Sequence, residues 1–254
     1  MNQPLPSNSR LTDKHLDNVI AVTGCDGAGK STLSDDLLRT IGGDRQVEWM
    51  YLGQSSGNIA RWIKDLPLIG APVGRYLVSK AKTSQSKNKT APGLLTIIVI
   101  YLLSQWRAHK FRRLLKLNRQ GVLVIADRYP QAELPGFHFD GPGLGAVTTG
   151  GWLSRTLTAR EQRLYTWMAS HLPALVIRLN IDAETAHQRK PDHRLSVLRD
   201  KVSIIPALTF NGARILDLNG CHPYPQVLTA AQNEICEVCP GATITSQATK
   251  EDTQ

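Results

Sequence analysis

The stretch VTGCDGAGKST, Val22–Thr32, decides how this chain is read. It holds three glycines in eleven residues and then Lys30, Ser31 and Thr32. Gly24, Gly29, Lys30 and Ser31 fit the G-x-x-x-x-G-K-[ST] pattern of a phosphate-binding loop, the Walker A motif. The flanks agree with that fit. NVIAVT (18–23) is an apolar run ending at a glycine, as a buried strand does. After Lys30, STLSDDLLRTI places Leu33, Leu37, Leu38 and Ile41 at helical spacing, and Gly42 and Gly43 stop it. Glycines let successive backbone N–H groups turn inward into an anion-binding nest, and the helix N-terminus adds partial positive charge. Lys30 is then expected at the β- and γ-phosphates of a nucleotide and the Ser31 hydroxyl on Mg²⁺.

The remaining pattern alternates strands and helices. VEWMYL (47–52), Val122–Ala126, ALVIRLN (174–180) and ARILDL (213–218) read as four further strands. Helices are expected over Leu94–Gln120, Ser154–His171, from Ala183 behind an Asp182 cap, and over Pro225–Glu237. With the phosphate loop, this alternation predicts an α/β, three-layer P-loop fold: a five-stranded parallel sheet with helices on both faces. Residues 1–17 read as a leader, 18–239 as one domain and 240–254 as a tail. Within the domain, 53–92 is a basic insertion with a short helix at NIARWIKDLP (58–67), and 130–151 is a Gly- and Pro-rich loop. Residues 189–200, opening on RKPDHR, form a charged break of lid type.

Composition narrows the class. The 254 residues suit one α/β domain, and the formal net charge is +9. Between Asn58 and Gln120 the only acidic residue is Asp65, a charge block that suits anionic partners. Four cysteines, Cys25, Cys221, Cys236 and Cys239, are too few and too uneven for a secreted disulfide framework. The N-terminus MNQPLPSNSR has no apolar core of a secretory signal. The longest apolar run, Leu94–Leu103, is half of the ~20 residues a membrane span needs. A cytoplasmic location is expected. Cys236 and Cys239, with Cys221 and His222 upstream, have metal-like spacing, although two cysteines three apart on a helix more often share a buried face.

Two other nucleotide-binding classes fit poorly. The N-K-x-D base-reading motif of a GTPase fails, because the only Asn-Lys pair is followed by Thr90 and Ala91. A motor ATPase wants an apolar strand ending in two acids, and here the strand ends Ala126-Asp127-Arg128-Tyr129.

At Asp127-Arg128-Tyr129 the chain resembles the thymidylate kinase-like family of P-loop nucleoside monophosphate kinases. DGAGKST (26–32) is similar to that family's loop with an internal Asp, and YLLSQWRAHKFRRLLKLNRQGVLVIADRY (101–129) resembles its helix, glycine and strand ending in Asp-Arg-aromatic. PALVIRLNIDAETAHQR (173–189) and ILDLNG (215–220) resemble the last two strands, with Glu184 and Arg189 in register. The resemblance implies an ATP- and Mg²⁺-dependent kinase of nucleotide biosynthesis. Gly24, Asp26, Gly27, Ala28, Gly29, Lys30, Ser31, Thr32 and Arg189 would bind ATP, and Ser31 and Asp127 would hold Mg²⁺, partly through water. Lys30, Asp127, Arg128 and Arg194 would carry catalysis. Asp26, Arg107, Arg128 and Tyr129 would face the acceptor, most simply thymidine monophosphate.

The family's Arg-Glu-Pro signature is absent, GQSSGN (53–58) standing there, and PQAELPGFHFDGPGLG (130–145) differs from its base-recognition stretch. A sugar or lipid-linked glycan acceptor is therefore a second reading, and a non-catalytic ATP-binding regulator a third. Nucleotides are the expected partners and nucleic acid is not. The basic 60–119 region leaves room for a peripheral membrane or lipid-linked acceptor, and a homodimer is open.

Overall fold

The computed structural model describes residues 14–42, 45–53, 93–136, 139–145 and 151–244. The expected helix at 58–67, nearly all of the basic insertion and both extreme ends lie outside the described residues. In chain order the elements are β1 (Lys14–Gly24), α1 (Lys30–Thr40), β2 (Val47–Tyr51), α2 (Leu94–Arg119), β3 (Leu123–Asp127) and α3 (Trp152–Ala169). They continue with β4 (His171–Asn180), α4 (Ala183–Arg189), α5 (Leu195–Ile204), β5 (Ile215–Asn219) and α6 (Tyr224–Val238). The sheet is parallel throughout, in the order β2-β3-β1-β4-β5.

Alternation along the strands builds two cores. Ile20, Val22, Leu123, Ile125, Leu175 and Ile177 face Leu33 and Leu37 of α1 and Ala231 and Ile235 of α6. Val19, Ala21, Val124, Ala126 and Val176 face Phe111 and Leu114 of α2 and Tyr165 and Met168 of α3. A strand buried on both faces must be apolar at every position, which explains the unbroken runs in the sequence. Asp182 caps α4 as expected, its carboxylate accepting from the Thr185 N–H at 2.7 Å.

Three boundaries differ from those expected. First, β1 starts at Lys14, so residues 14–17, read as leader, are strand. Leu16 is buried and pairs with Pro173, while the register to β4 shifts between Leu16 and Ile20. Second, β4 starts at His171. The carbonyl of His171 accepts from the Tyr129 hydroxyl at 2.8 Å, and Phe111 and Trp167 pack edge-on against its ring. Third, the charged break expected over 189–200 gives way at Leu195 to α5, which runs to Ile204. Leu195, Leu198 and Val202 pack on the first core at spacings of three and four, and Pro206 lies in the short 3₁₀ turn that follows.

Candidate functional site

In an open parallel sheet, ligands bind beyond the carboxyl ends of the strands, where the chain order reverses. Here that point is β1, flanked by β3 and β4. The register sets Asp127, the last residue of β3, beside Val22 of β1 and Tyr51 of β2. Asp127 therefore stands at the mouth of the loop that leaves β1. A cleft of about 790 Å³ opens there, lined by residues 26–33, Tyr51, Asp127, Arg128, Arg189, His193 and Tyr224, among others.

The loop needs its glycines for space as well as for torsion. Gly24 has φ +147 and Gly27 φ +87, and a Cβ would lie 2.6 Å from the Leu179 carbonyl oxygen or 2.8 Å from that of Ala186. No side chain fits at either place. Gly29 is the N-cap of α1, which aims the helix N-terminus into the cleft, with Ser31 and Thr32 exposed in its first turn. The Lys30 ammonium donates to the carbonyls of Gly24 at 3.0 Å and Cys25 at 2.8 Å. Burial pulls its pKa down from the ordinary lysine value.

Asp127 is only 8 % exposed, and its Oδ1 has no hydrogen-bond partner among the described residues. Burial raises its pKa, opposed by Lys30 and Arg128. A buried carboxylate oxygen without a partner is costly unless a cation or donor meets it. Together with the exposed Ser31 hydroxyl it offers the sparse oxygen set that Mg²⁺ takes, the rest coming from water and phosphate. The residues fit the ion. Zinc is different. Among the described residues no cluster of His, Cys, Asp and Glu suits a metal. Cys239 is buried with its thiol on the Asp17 carbonyl at 3.3 Å, whereas Cys221 is exposed before the other end of α6.

Arg128 has a left-handed backbone, φ 61. For a residue with a Cβ this is strained. Its carbonyl accepts from Arg107 Nη2 at 2.5 Å, and Arg107 is further held by Asp140 at 3.3 Å and the Tyr165 hydroxyl at 3.4 Å. The Arg128 guanidinium then reaches Asp26 at 3.3 Å. Burial would lower the Arg128 pKa, but Asp140, Tyr51, Asp26 and Asp127 raise it, so the group stays cationic.

Two residues expected at the acceptor, Arg107 and Tyr129, do not line the cleft. Arg107 is 1 % exposed and Tyr129 2 % exposed. Arg107 stands behind Arg128 as its support, and Tyr129 packs in the core against Phe111. Both are drawn inward because buried polar groups there need partners, the carbonyls of Arg128 and His171. At the end of α4, Arg189 donates to the carbonyls of Gly27 at 3.3 Å and Gly220 at 3.1 Å. Arg194 is the exposed N-cap of α5 and does not line the cleft; His193 does.

Asp26 is met by two cations, Lys201 in close contact and Arg128 at 3.3 Å, and the His193 ring lies 3.6 Å away. Burial alone would raise its pKa, but Lys201, then Lys30 and Arg128, hold the carboxyl well below the usual range. Lys201, buried on α5, was missed because it directly follows 189–200, the stretch expected to be a charged break. Glu161 was missed too. It is fully buried, and its carboxylate accepts from Ser104 Oγ at 2.5 Å, Gly143 N at 3.2 Å and Leu144 N at 2.6 Å. The signal was present: an acid at core spacing in the run Ser154, Leu157, Glu161, Tyr165, Met168.

No protein-family model matches the chain. It is 55% identical over 218 residues to the "Uncharacterized ATP-binding protein YghS" of Escherichia coli (strain K12), covering 85% of this chain and 92% of that one. It is 41% identical over 233 residues to the "Uncharacterized ATP-binding protein YghR" of the same strain, covering 92% of each. With the phosphate loop inside a likeness that spans nearly both lengths, the chain belongs to the family of YghS and YghR.

Proposed function

We propose that this protein is an ATP- and Mg²⁺-dependent phosphotransferase of thymidylate kinase type, passing the γ-phosphoryl group of ATP to a nucleoside monophosphate. The observation that carries the reading is the partnerless Asp127 oxygen beside Lys30 and Arg128 at the mouth of a glycine loop. The ATP-binding names of YghS and YghR support the donor half. Phosphoryl transfer asks a protein for positioning and charge stabilisation more than for covalent work.

Loop N–H groups and Lys30 would hold the β- and γ-phosphates, and Arg189 would close over the donor side. Ser31 and Asp127 would hold Mg²⁺, which when bound neutralises phosphate charge. An acceptor phosphate oxygen attacks the γ-phosphorus, the bond to the β,γ-bridging oxygen breaks, and ADP leaves with that electron pair. Arg128 is placed to neutralise charge on the equatorial oxygens, and Lys201 stands beside it as a second cation. Lys30 and Arg128 act on the transferring group, whereas Arg107 acts only through Arg128.

A second reading, a sugar or lipid-linked glycan acceptor, is favoured by one observation: Arg107 and Tyr129, which a nucleotide kinase of this type would turn to its acceptor, face the core. ADP release decides between them. The panel is thymidine, deoxyuridine, cytidine, adenosine and guanosine monophosphates beside free sugars and a lipid-linked glycan extract. Thymidine monophosphate is expected to lead. Turnover with glycans alone moves the assignment to the second reading, and tight ATP binding with no turnover leaves a regulator that only binds ATP.

A further inference from the structure

The outward side of α2 is unusual for a protein surface. Leu95, Leu102 and Trp106 are 55%, 58% and 49% exposed. Together with half-buried Val99 they lie at spacings of four, three and four, which is one helical face. Trp152 at the start of α3 is 73% exposed. It belongs to the same end of the helix pair, where Leu157 of α3 joins Ile97 and Ile100 of α2 in one cluster. The same face continues through His109, Arg113 and Lys116, so its apolar half is followed by a basic half. Trp106 and His109 stack at the join, with centroids 5.6 Å apart. The opposite side of the helix, Ile100, Ser104, Arg107, Phe111 and Leu114, is buried.

We propose that this face of α2 docks the protein on an anionic phospholipid surface. Charge selects the occupant. The 26 residues of α2 include six Lys and Arg and no Asp or Glu. Arg112, Arg113, Lys116 and Arg119 are exposed, although Arg113 also pairs with Glu48 at 3.0 Å. A second copy of this chain would bring the same apolar stripe together with the same positive charge. An anionic headgroup layer supplies apolar depth for the leucines and tryptophans and opposite charge for the cations. Among the described residues no helix is long and apolar enough to cross a membrane, so α2, roughly 39 Å long at 1.5 Å per residue, lies along the surface. Its inner side supports the cleft: Lys110 donates to the carbonyls of Tyr51 at 3.0 Å and Gly53 at 2.5 Å, and Arg107 holds Arg128. Docking would therefore bring the helix that supports Arg128 to the membrane without covering the cleft residues. The proposal does not depend on the identity of the acceptor.

The experiment is co-sedimentation of the full chain with vesicles of phosphatidylcholine alone and of phosphatidylcholine with phosphatidylglycerol. Binding is expected to the second alone, and to weaken as salt rises. The double variant Leu102→Glu, Trp106→Glu should lower the partition coefficient about tenfold or more. Lys116→Glu with Arg119→Glu should lower it about tenfold at low salt. All four positions are exposed, so an unchanged thermal melt separates lost docking from lost folding. The proposal fails if the wild type ignores anionic vesicles, or if binding survives both double variants. A wild-type dimer that becomes monomeric on Leu102→Glu, Trp106→Glu, with no vesicle binding, assigns the face to a second copy and also overturns it.

Discussion

The two walls of the cleft, donor and acceptor in the proposed reaction, are built in opposite ways. The donor wall is one run of chain, Gly27–Thr32, in which glycine torsions, a lysine and a helix N-terminus follow in order. The acceptor wall has no such run. Arg128 is fixed by Arg107, 21 positions away, and Asp26 by Lys201, 175 positions away. The first wall is specified by local backbone preference. The second exists only after the sheet, α2 and α5 have packed. Damage to the donor wall should therefore remove chemistry and leave the fold, whereas damage to the acceptor wall should injure both.

The largest effect is expected at the donor wall. Lys30→Ala removes the cation that the loop itself supplies, and ADP release should fall by about 10²–10³ or more. ATP affinity should weaken with it, while the thermal midpoint moves little, since Lys30 bonds only loop carbonyls. Near-normal turnover in that variant would refute the loop assignment.

Arg107→Ala comes next and should behave differently. It leaves the Arg128 carbonyl without its donor and Asp140 without its ion-pair partner, with Arg128 the remaining cation nearby. Removing one member of a buried charge pair destabilises by roughly 3–5 kcal/mol. Turnover should fall as well, because the strained Arg128 backbone loses its prop. Arg107→Lys is the sharper instrument. It keeps the charge but cannot reach Arg128, Asp140 and Tyr165 together, since a lysine lacks the planar fork. It should retain most of the stability and acceptor KM yet lose about 10-fold in kcat. If Arg107→Lys raises acceptor KM and spares kcat, Arg107 touches the acceptor directly and does not act through Arg128 alone.

A third test concerns Asp26 and is read in pH. Its folded pKa is depressed, so the stability it contributes is fully present above the unfolded value of about 3.9 and is lost as pH falls through the folded value. The unfolded chain binds the extra proton in that window, hence acid favours unfolding. Asp26→Asn should lower stability at neutral pH, by roughly 2 kcal/mol or more, because Lys201 is left buried without its anion. Its deficit should narrow as pH drops below about 4. Melting curves of both proteins from neutral to acid test this, and a deficit that stays constant would show that the Lys201 pair carries no net stability.

The same contrast explains what could be read beforehand. Fold class, strand count and the loop were legible because apolar runs and glycine spacing are local signals, and β3 could be placed because a fully buried strand shows no alternation. The helix α5 was hidden behind RKPDHR, whose charges suggested a break, although Leu195, Leu198 and Val202 already marked a face. Once α5 is a helix, Lys201 stands out as a cation beside that face. Arg107 and Tyr129 were legible as special residues but not in their direction. Sequence register places a residue at the end of a helix or strand, whereas burial decides which way it turns.

The smallest difference should separate two arginines in the stretch expected to be a lid, and it tests the donor wall at its weakest point. Arg189 and Arg194 look alike in sequence, each a cation in a charged stretch. In the folded chain Arg189 donates to Gly27 in the loop and to Gly220 after β5, tying the end of α4 to both. These bonds are exposed, so each contributes about 0.5–1.5 kcal/mol. Arg189→Ala should weaken ATP binding by about 2- to 10-fold, since it loosens the loop and removes a cation from the cleft. Arg194 is exposed and only begins α5, so Arg194→Ala should stay within about 0.5 kcal/mol in stability and leave ATP affinity unchanged. Titrating ATP into both variants side by side measures this. Equal losses would mean that residues 190–194 fold over the nucleotide when it binds, bringing Arg194 into a cleft that it does not line in the structure described.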